Sequence, residues 1–226
     1  PEVQANTLRS AQAQASPTVD GIANVMSVVR PGDKSHDVLA MASSRNYGLD
    51  ARKGQTVQPQ PFGMVGDGAG SVFKIFTAAA AMEKGMGIDT VLDVPASIAV
   101  YGMGNSNGAF GCPVNAYCVR NAGPYPAQLS LPQALAQSPN TSFVALLKQV
   151  GVTPAVDMAV RLGLRSYTVP GSSGVSDQSL AEYIKKGSFG SFTLGPFPVS
   201  ALELSNVGAT LASDGMWCPP NPIVSI

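Results

Sequence analysis

Residues 68–87 read Gly-Ala-Gly-Ser-Val-Phe-Lys-Ile-Phe-Thr-Ala-Ala-Ala-Ala-Met-Glu-Lys-Gly-Met-Gly. From Ser71 to Lys84 the residues have high helix propensity, and Gly85 supplies a stop. The body of this segment is nearly all apolar, which predicts a helix buried on most sides. Lys74 is the exception, and a lysine beside Phe73, Ile75 and Phe76 is unusual without a task. It follows Ser71 by three positions, so the two side chains share a helix face. Burial is costly for a charged lysine and pushes it toward the neutral amine. A neutral amine one turn from a hydroxyl can take its proton. The helix start adds a positive dipole end beneath the developing alkoxide, and the Ser71 N–H can donate to a tetrahedral oxyanion. Ser71 and Lys74 therefore read as a nucleophile–base unit that needs no histidine. The plainer reading of the same residues is a helix-capping serine and a snorkelling lysine.

A second element, Ser138-Pro139-Asn140, follows 67 residues after Ser71. As plain structure it is a helix start, with Ser138 as N-cap and Pro139 at the first helical position. That reading does not require Asn140. Ser-x-x-Lys followed by a Ser-x-Asn element is part of the joint signature of active-site serine penicillin-recognising enzymes, whose third motif is Lys-Thr-Gly. The two together, in this order, are far more specific than either alone.

Four stretches extend the likeness: residues 68–87 as quoted, ALAQSPNTSFVALLKQVG at 134–151, AVRLGL at 159–164, and LGPFPVSALELSNVGATLASDG at 194–215. On these residues the chain resembles the transpeptidase domain of a penicillin-binding protein, closest to the bifunctional class A type of actinobacterial flavour. The resemblance covers roughly residues 20–222. It implies an α/β fold of the α+β type, an antiparallel sheet with a helical subdomain. Residues 1–19 would be a linker helix, and 20–226 the N-terminal part of the domain.

By the same resemblance Ser71 is the acylated nucleophile and Lys74 its general base. Ser138 relays the proton to the leaving D-alanine, and Asn140 holds Lys74 and a substrate carbonyl; Ser71, Ser138 and Asn140 are thus also substrate-binding. The implied activity is D,D-transpeptidation of peptidoglycan stem peptides, with β-lactams acylating the same serine. No cofactor or metal is implied. The alternatives are a D,D-carboxypeptidase or β-lactamase-like hydrolase, and a non-catalytic β-lactam-binding envelope protein.

The third motif is missing: of the seven lysines, only Lys186-Gly187-Ser188 comes near it, in the wrong order. The chain is therefore expected to stop before the Lys-Thr-Gly strand, with a C-terminal segment carrying that motif as a partner. Of the family's five-stranded sheet only an N-terminal hairpin is expected here. Glu203-Leu204-Ser205-Asn206 resembles the Glu-x-x-Asn of class A β-lactamases but falls inside an expected helix, where it reads as helix surface.

Composition narrows the remaining classes. Fourteen basic and fourteen acidic side chains cancel, and charged residues make up only 12%. That balance argues against a nucleic-acid partner, which requires clustered cations. The 45% hydrophobic content argues against disorder. Cys112 and Cys118 read as a disulfide closing a surface loop in an oxidising, extracytoplasmic compartment; two free buried thiols is the alternative. The family adds an anchor to the cytoplasmic membrane outside this chain, which opens on Pro1 and is expected to belong to something longer. Three cysteines and the single His36 make a zinc site improbable, and His36 in PGDKSHD reads as a solvated loop residue.

Along the chain, a helix is expected over 1–15 and β-strands over 22–30 and Val38–Ala42. Helices are expected over Ser130–Gln137, Asn140–Val150, Pro154–Leu162 and Ser200–Ala212. Residues 54–70, 97–128 and 166–196 read as irregular.

Overall fold

The computed structural model describes residues 1–64, 68–104, 106 and 111–223. Parts of the expected 54–70 and 97–128 loops, and the last three residues, lie outside the described residues. The chain divides into two compact units. The first comprises Pro1–Gly66, Arg161–Arg165 and Pro198–Ile226; the second comprises Asp67–Val160 and Ser166–Phe197.

In the first unit the hairpin forms as expected. Strands β1 (Val25–Arg30) and β2 (His36–Ser43) pair antiparallel, with a register shift between Val28 and Val29. Helix α1 (Glu2–Gln14) packs on β2. There the Gln4 carboxamide donates to Met41 O at 2.9 Å and accepts from Met41 N at 3.0 Å, standing in for a neighbouring strand. Helix α7 (Ala201–Ala212) packs on β1, its start capped by Ser200 Oγ, which accepts from Glu203 N at 3.1 Å.

Two expectations are corrected in this unit. The sheet contains more than the hairpin: β7 (Pro220–Asn221) runs parallel to β2 at His36 and Asp37. Proline carries no backbone N–H, which suits so short a pairing at a sheet edge. His36 is not solvated: it opens β2 and is completely buried. Its Nδ1 lies 2.8 Å from Asn206 Oδ1. Asn206 Nδ2 donates to Cys218 O at 3.0 Å, so Oδ1 accepts and His36 Nδ1 carries the hydrogen. Turn-rich composition extended the loop reading two residues too far, over His36 and Asp37. The Asn206 side chain, which closes the Glu-x-x-Asn stretch, is wholly engaged in this structural contact.

The second unit holds α2 (Lys74–Glu83), α3 (Leu131–Gln137), α4 (Asn140–Val150), most of α5 (Val152–Leu162) and α6 (Leu180–Gly187). It also holds two small antiparallel pairs. One joins β3 (Val91–Asp93) to β6 (Gln128–Ser130); the other joins β4 (Ser97–Tyr101) to β5 (Ala116–Arg120).

Two stretches expected to be irregular contain regular structure. Residues 97–128 include the β4–β5 ladder, closed by a disulfide between Cys112 and Cys118. The strands bury Val100 and Val119 but are too short, and too deep in Gly- and Pro-rich sequence, to show a period. Residues 166–196 include α6, begun by a capping box that was legible: Ser179 Oγ accepts from Glu182 N, and Glu182 Oε2 accepts from Ser179 N. Cys218 is a free, buried thiol. Among the described residues no single helix is long and apolar enough to cross a membrane.

The start of α2 is fixed from two sides. Phe73 and Phe76 are fully buried, with ring centroids 5.2 Å apart, and Phe192 meets Phe73 edge-on at 5.5 Å. Full burial of each ring contributes roughly 2–3 kcal/mol. On the other side the backbones themselves touch: Gly70 N donates to Gly195 O at 3.1 Å. Gly195 has φ +67°, and a Cβ there would lie 2.1 Å from Gly70 O. Gly195→Ala is therefore expected to destabilise the fold by at least about 2 kcal/mol, through a left-handed backbone and a backbone clash together. Chemical denaturation checks this; an unchanged midpoint refutes the assignment.

Candidate active site

A 3₁₀ turn over Gly70–Phe73 leads into α2, so Ser71 sits on the turn and Lys74 begins the α-helix. The turn leaves Ser71 exposed while Lys74 is 1% exposed. A nucleophile that substrate can reach is thus joined to an amine that water cannot.

The other half is the turn between α3 and α4. Here the sequence reading needs correction: Ser138 ends α3 instead of capping α4. It adopts the left-handed conformation (φ 62°, ψ 43°), with its N–H donating to Ala134 O at 2.7 Å. Pro139 occupies the N-cap of α4, and Asn140 is the first helical residue. Left-handed backbone is costly for a serine, and residues held this way cluster at functional sites. The result is that both oxygens of Ser138 face the Lys74 amine.

Lys74 Nζ lies 3.1 Å from Ser71 Oγ, 2.8 Å from Ser138 Oγ, 2.6 Å from Ser138 O and 2.9 Å from Asn140 Oδ1. Asn140 Nδ2 donates to Arg120 O at 3.3 Å, which orients Oδ1 toward the amine. Four oxygens surround a group with at most three hydrogens. The Ser138 carbonyl and Asn140 Oδ1 can only accept. In the neutral amine they take its two N–H bonds, and the lone pair is left facing the two hydroxyls. That is the arrangement a base needs to receive a proton from one hydroxyl and return it through the other.

Burial lowers the Lys74 pKa from 10.5 to about 8. The Phe143 ring, its centroid 5.6 Å from Nζ, forms part of the surrounding wall. A second lysine ties the same two helices at their far ends, Lys84 Nζ donating to Val150 O at 2.6 Å. Helices α2 and α4 therefore run side by side in the same direction, held at both ends.

All four residues singled out from the sequence, Ser71, Lys74, Ser138 and Asn140, meet at one amine. Sequence reasoning missed Arg120 and Asn121, at the end of β5. Asn121 Oδ1 accepts from Asn140 N at 2.8 Å and from Thr141 N at 3.1 Å. An isolated Asn before Gly and Pro signals only a turn. Among the described residues no group of three His, Cys, Asp or Glu side chains could hold a metal ion.

Comparison with known proteins identifies the family. Over 226 residues the chain is 29% identical to penicillin-binding protein PbpB of Mycolicibacterium smegmatis, covering 95% of this chain and 32% of PbpB. Its fold resembles penicillin-binding protein PonA1 of Mycobacterium tuberculosis, with a TM-score of 0.69 and 23% identity over 97% of this chain and 49% of that one. It also resembles penicillin-binding protein A of the same organism, solved as a penicillin G acyl-enzyme complex, with a TM-score of 0.63 and 20% identity over 87% of this chain and 48% of that one. The chain thus spans about a third of the length of PbpB and about half of each solved chain. Residues 26–226 match the penicillin binding protein transpeptidase domain, and with Ser-x-x-Lys and Ser-x-Asn converging on one amine, the chain belongs to that family.

Proposed function

We propose that this chain carries the acylating centre of a D,D-transpeptidase that cross-links peptidoglycan stem peptides. The observation that carries the reading is the Lys74 amine, 1% exposed and within hydrogen-bonding reach of Ser71 Oγ, Ser138 Oγ and Asn140 Oδ1. Neutral Lys74 takes the Ser71 hydroxyl proton as Oγ adds to the penultimate D-alanine carbonyl. The oxyanion is met by the Ser71 N–H at the helix start. The proton passes through Ser138 Oγ to the departing D-alanine nitrogen, the C–N bond breaks, and an ester on Ser71 remains. The amine of a neighbouring stem attacks that ester, losing a proton as Ser71 Oγ regains one. Asn140 holds the amine and accepts the substrate against its carboxamide.

A β-lactam would enter the same sequence at its strained amide. The penicillin G acyl-enzyme of the M. tuberculosis relative supports extending β-lactam binding to this chain. The Cys112–Cys118 disulfide supports an extracytoplasmic location, since such bonds persist in oxidising compartments. A membrane anchor and a partner glycosyltransferase activity belong to the same proposal for the whole protein.

In the full-length protein, Ser71→Ala is expected to abolish labelling by fluorescent penicillin, and Lys74→Met to slow it roughly 10²–10⁴-fold. Undiminished labelling of Ser71→Ala would sink the reading. Incubation with a stem pentapeptide and an amine acceptor should release D-alanine and yield a cross-linked product by mass spectrometry; hydrolysed tetrapeptide alone would select the carboxypeptidase.

The pH dependence has a definite sign. Lys74 acts as a base only when neutral, so the penicillin acylation rate should rise with pH and level off above about 8. Below that value it should fall about tenfold per pH unit. Stopped-flow labelling from pH 6 to 10 measures this, and a flat profile contradicts a lysine base.

A further inference from the structure

We propose that Asn121 is a positioning residue for the Ser138-Pro139-Asn140 turn, an inference that rests on the acylation reading above. Asn121 lies outside both motifs, immediately after β5. It answers a problem that the second motif creates. A helix start leaves its first N–H groups without partners, and a side-chain acceptor at the N-cap ordinarily serves them. In α4 the N-cap is Pro139, which has no such acceptor, and no side-chain cap forms there. Ser138, the residue before it, has both oxygens turned to Lys74.

Asn121 supplies the missing cap from 19 residues upstream. Its Oδ1 accepts from Asn140 N at 2.8 Å and Thr141 N at 3.1 Å. Its Nδ2 donates to Thr141 Oγ1 at 3.0 Å and to Pro95 O at 3.1 Å. Two donors and two lone pairs are therefore all used, which fixes the carboxamide's orientation. The neighbouring Arg120 carbonyl accepts from Asn140 Nδ2, so the end of β5 grips Asn140 at both backbone and side chain. Lys74 Nζ in turn donates to Asn140 Oδ1. A carboxamide that touches neither Ser71 nor Lys74 thus sets where the amine's partner stands.

A misplacement of about 1 Å at a reacting centre can cost up to roughly 10²-fold in rate. In the full-length protein, Asn121→Ala is expected to slow fluorescent-penicillin acylation between about ten- and a hundredfold at pH 9, where Lys74 is neutral. Asn121→Asp keeps an acceptor for both N–H groups but loses the donors to Thr141 Oγ1 and Pro95 O, so it is expected to fall between wild type and Asn121→Ala. Leu129→Ala, a buried change in β6, serves as the stability control: it should lower Tm comparably yet label at near the wild-type rate. Hydrogen exchange reads the cap without reference to Ser71 chemistry. Asn121→Ala should speed exchange at the Asn140 and Thr141 amides and leave Leu146 and Leu147 protected.

The proposal is overturned if those two amides are unaffected. It is also overturned if Asn121→Ala acylates like wild type, if Asn121→Asp is as slow as the alanine variant, or if Leu129→Ala loses labelling in the same proportion to Tm. An unlabelled wild type would instead refute the acylation reading, leaving the exchange result to decide the cap.

Discussion

Lys74 is a lysine that the fold keeps out of water while offering it four oxygens. Lowering its pKa from 10.5 to about 8 corresponds to roughly 3 kcal/mol against the charged form. That is a sizeable fraction of the 5–15 kcal/mol by which a typical domain is stable. The surrounding structure carries this penalty. Phe73 and Phe76 bury the start of α2, the Gly70–Gly195 contact brings two backbones together, and Ser138 accepts a left-handed conformation. None of these features makes local sense alone. Together they hold the amine out of water and beside two hydroxyls, as the proposed acylation requires.

Much of this was legible in the sequence, for a reason that can be named. A lysine flanked by Phe73, Ile75 and Phe76 contradicts the hydrophobic pattern of its own helix. Such contradictions mark functional sites. Asn140 was left over by the capping interpretation of Ser-Pro-Asn in the same way. The N-terminal hairpin, α1, α4 and α7 were legible because their periodicity or stop signals are strong.

What escaped had weak local signals or depended on distant partners. The β4–β5 strands are five residues each, short enough for one or two glycines nearby to mask the alternation. His36 was misread because its hydrogen-bond partner, Asn206, is 170 positions away, and no local pattern reports that. Asn121 was invisible for the same reason: its role is defined by the missing cap of a helix it does not belong to. Only α6 was simply overlooked, since Ser179 and Glu182 spell its start.

The parallel course of α2 and α4, tied by Lys74 at one end and Lys84 at the other, has an electrostatic consequence. Two aligned helix dipoles side by side repel, whereas antiparallel neighbours attract. This pair is held in the less favourable arrangement, and both amino-terminal ends arrive together at Ser71 and Asn140. Each end carries about half a positive charge. The field there is set when the chain folds, before any substrate arrives. It disfavours a proton on the amine and favours negative charge on a nearby oxygen. A reaction that generates an oxyanion at that point finds the compensating charge already in place.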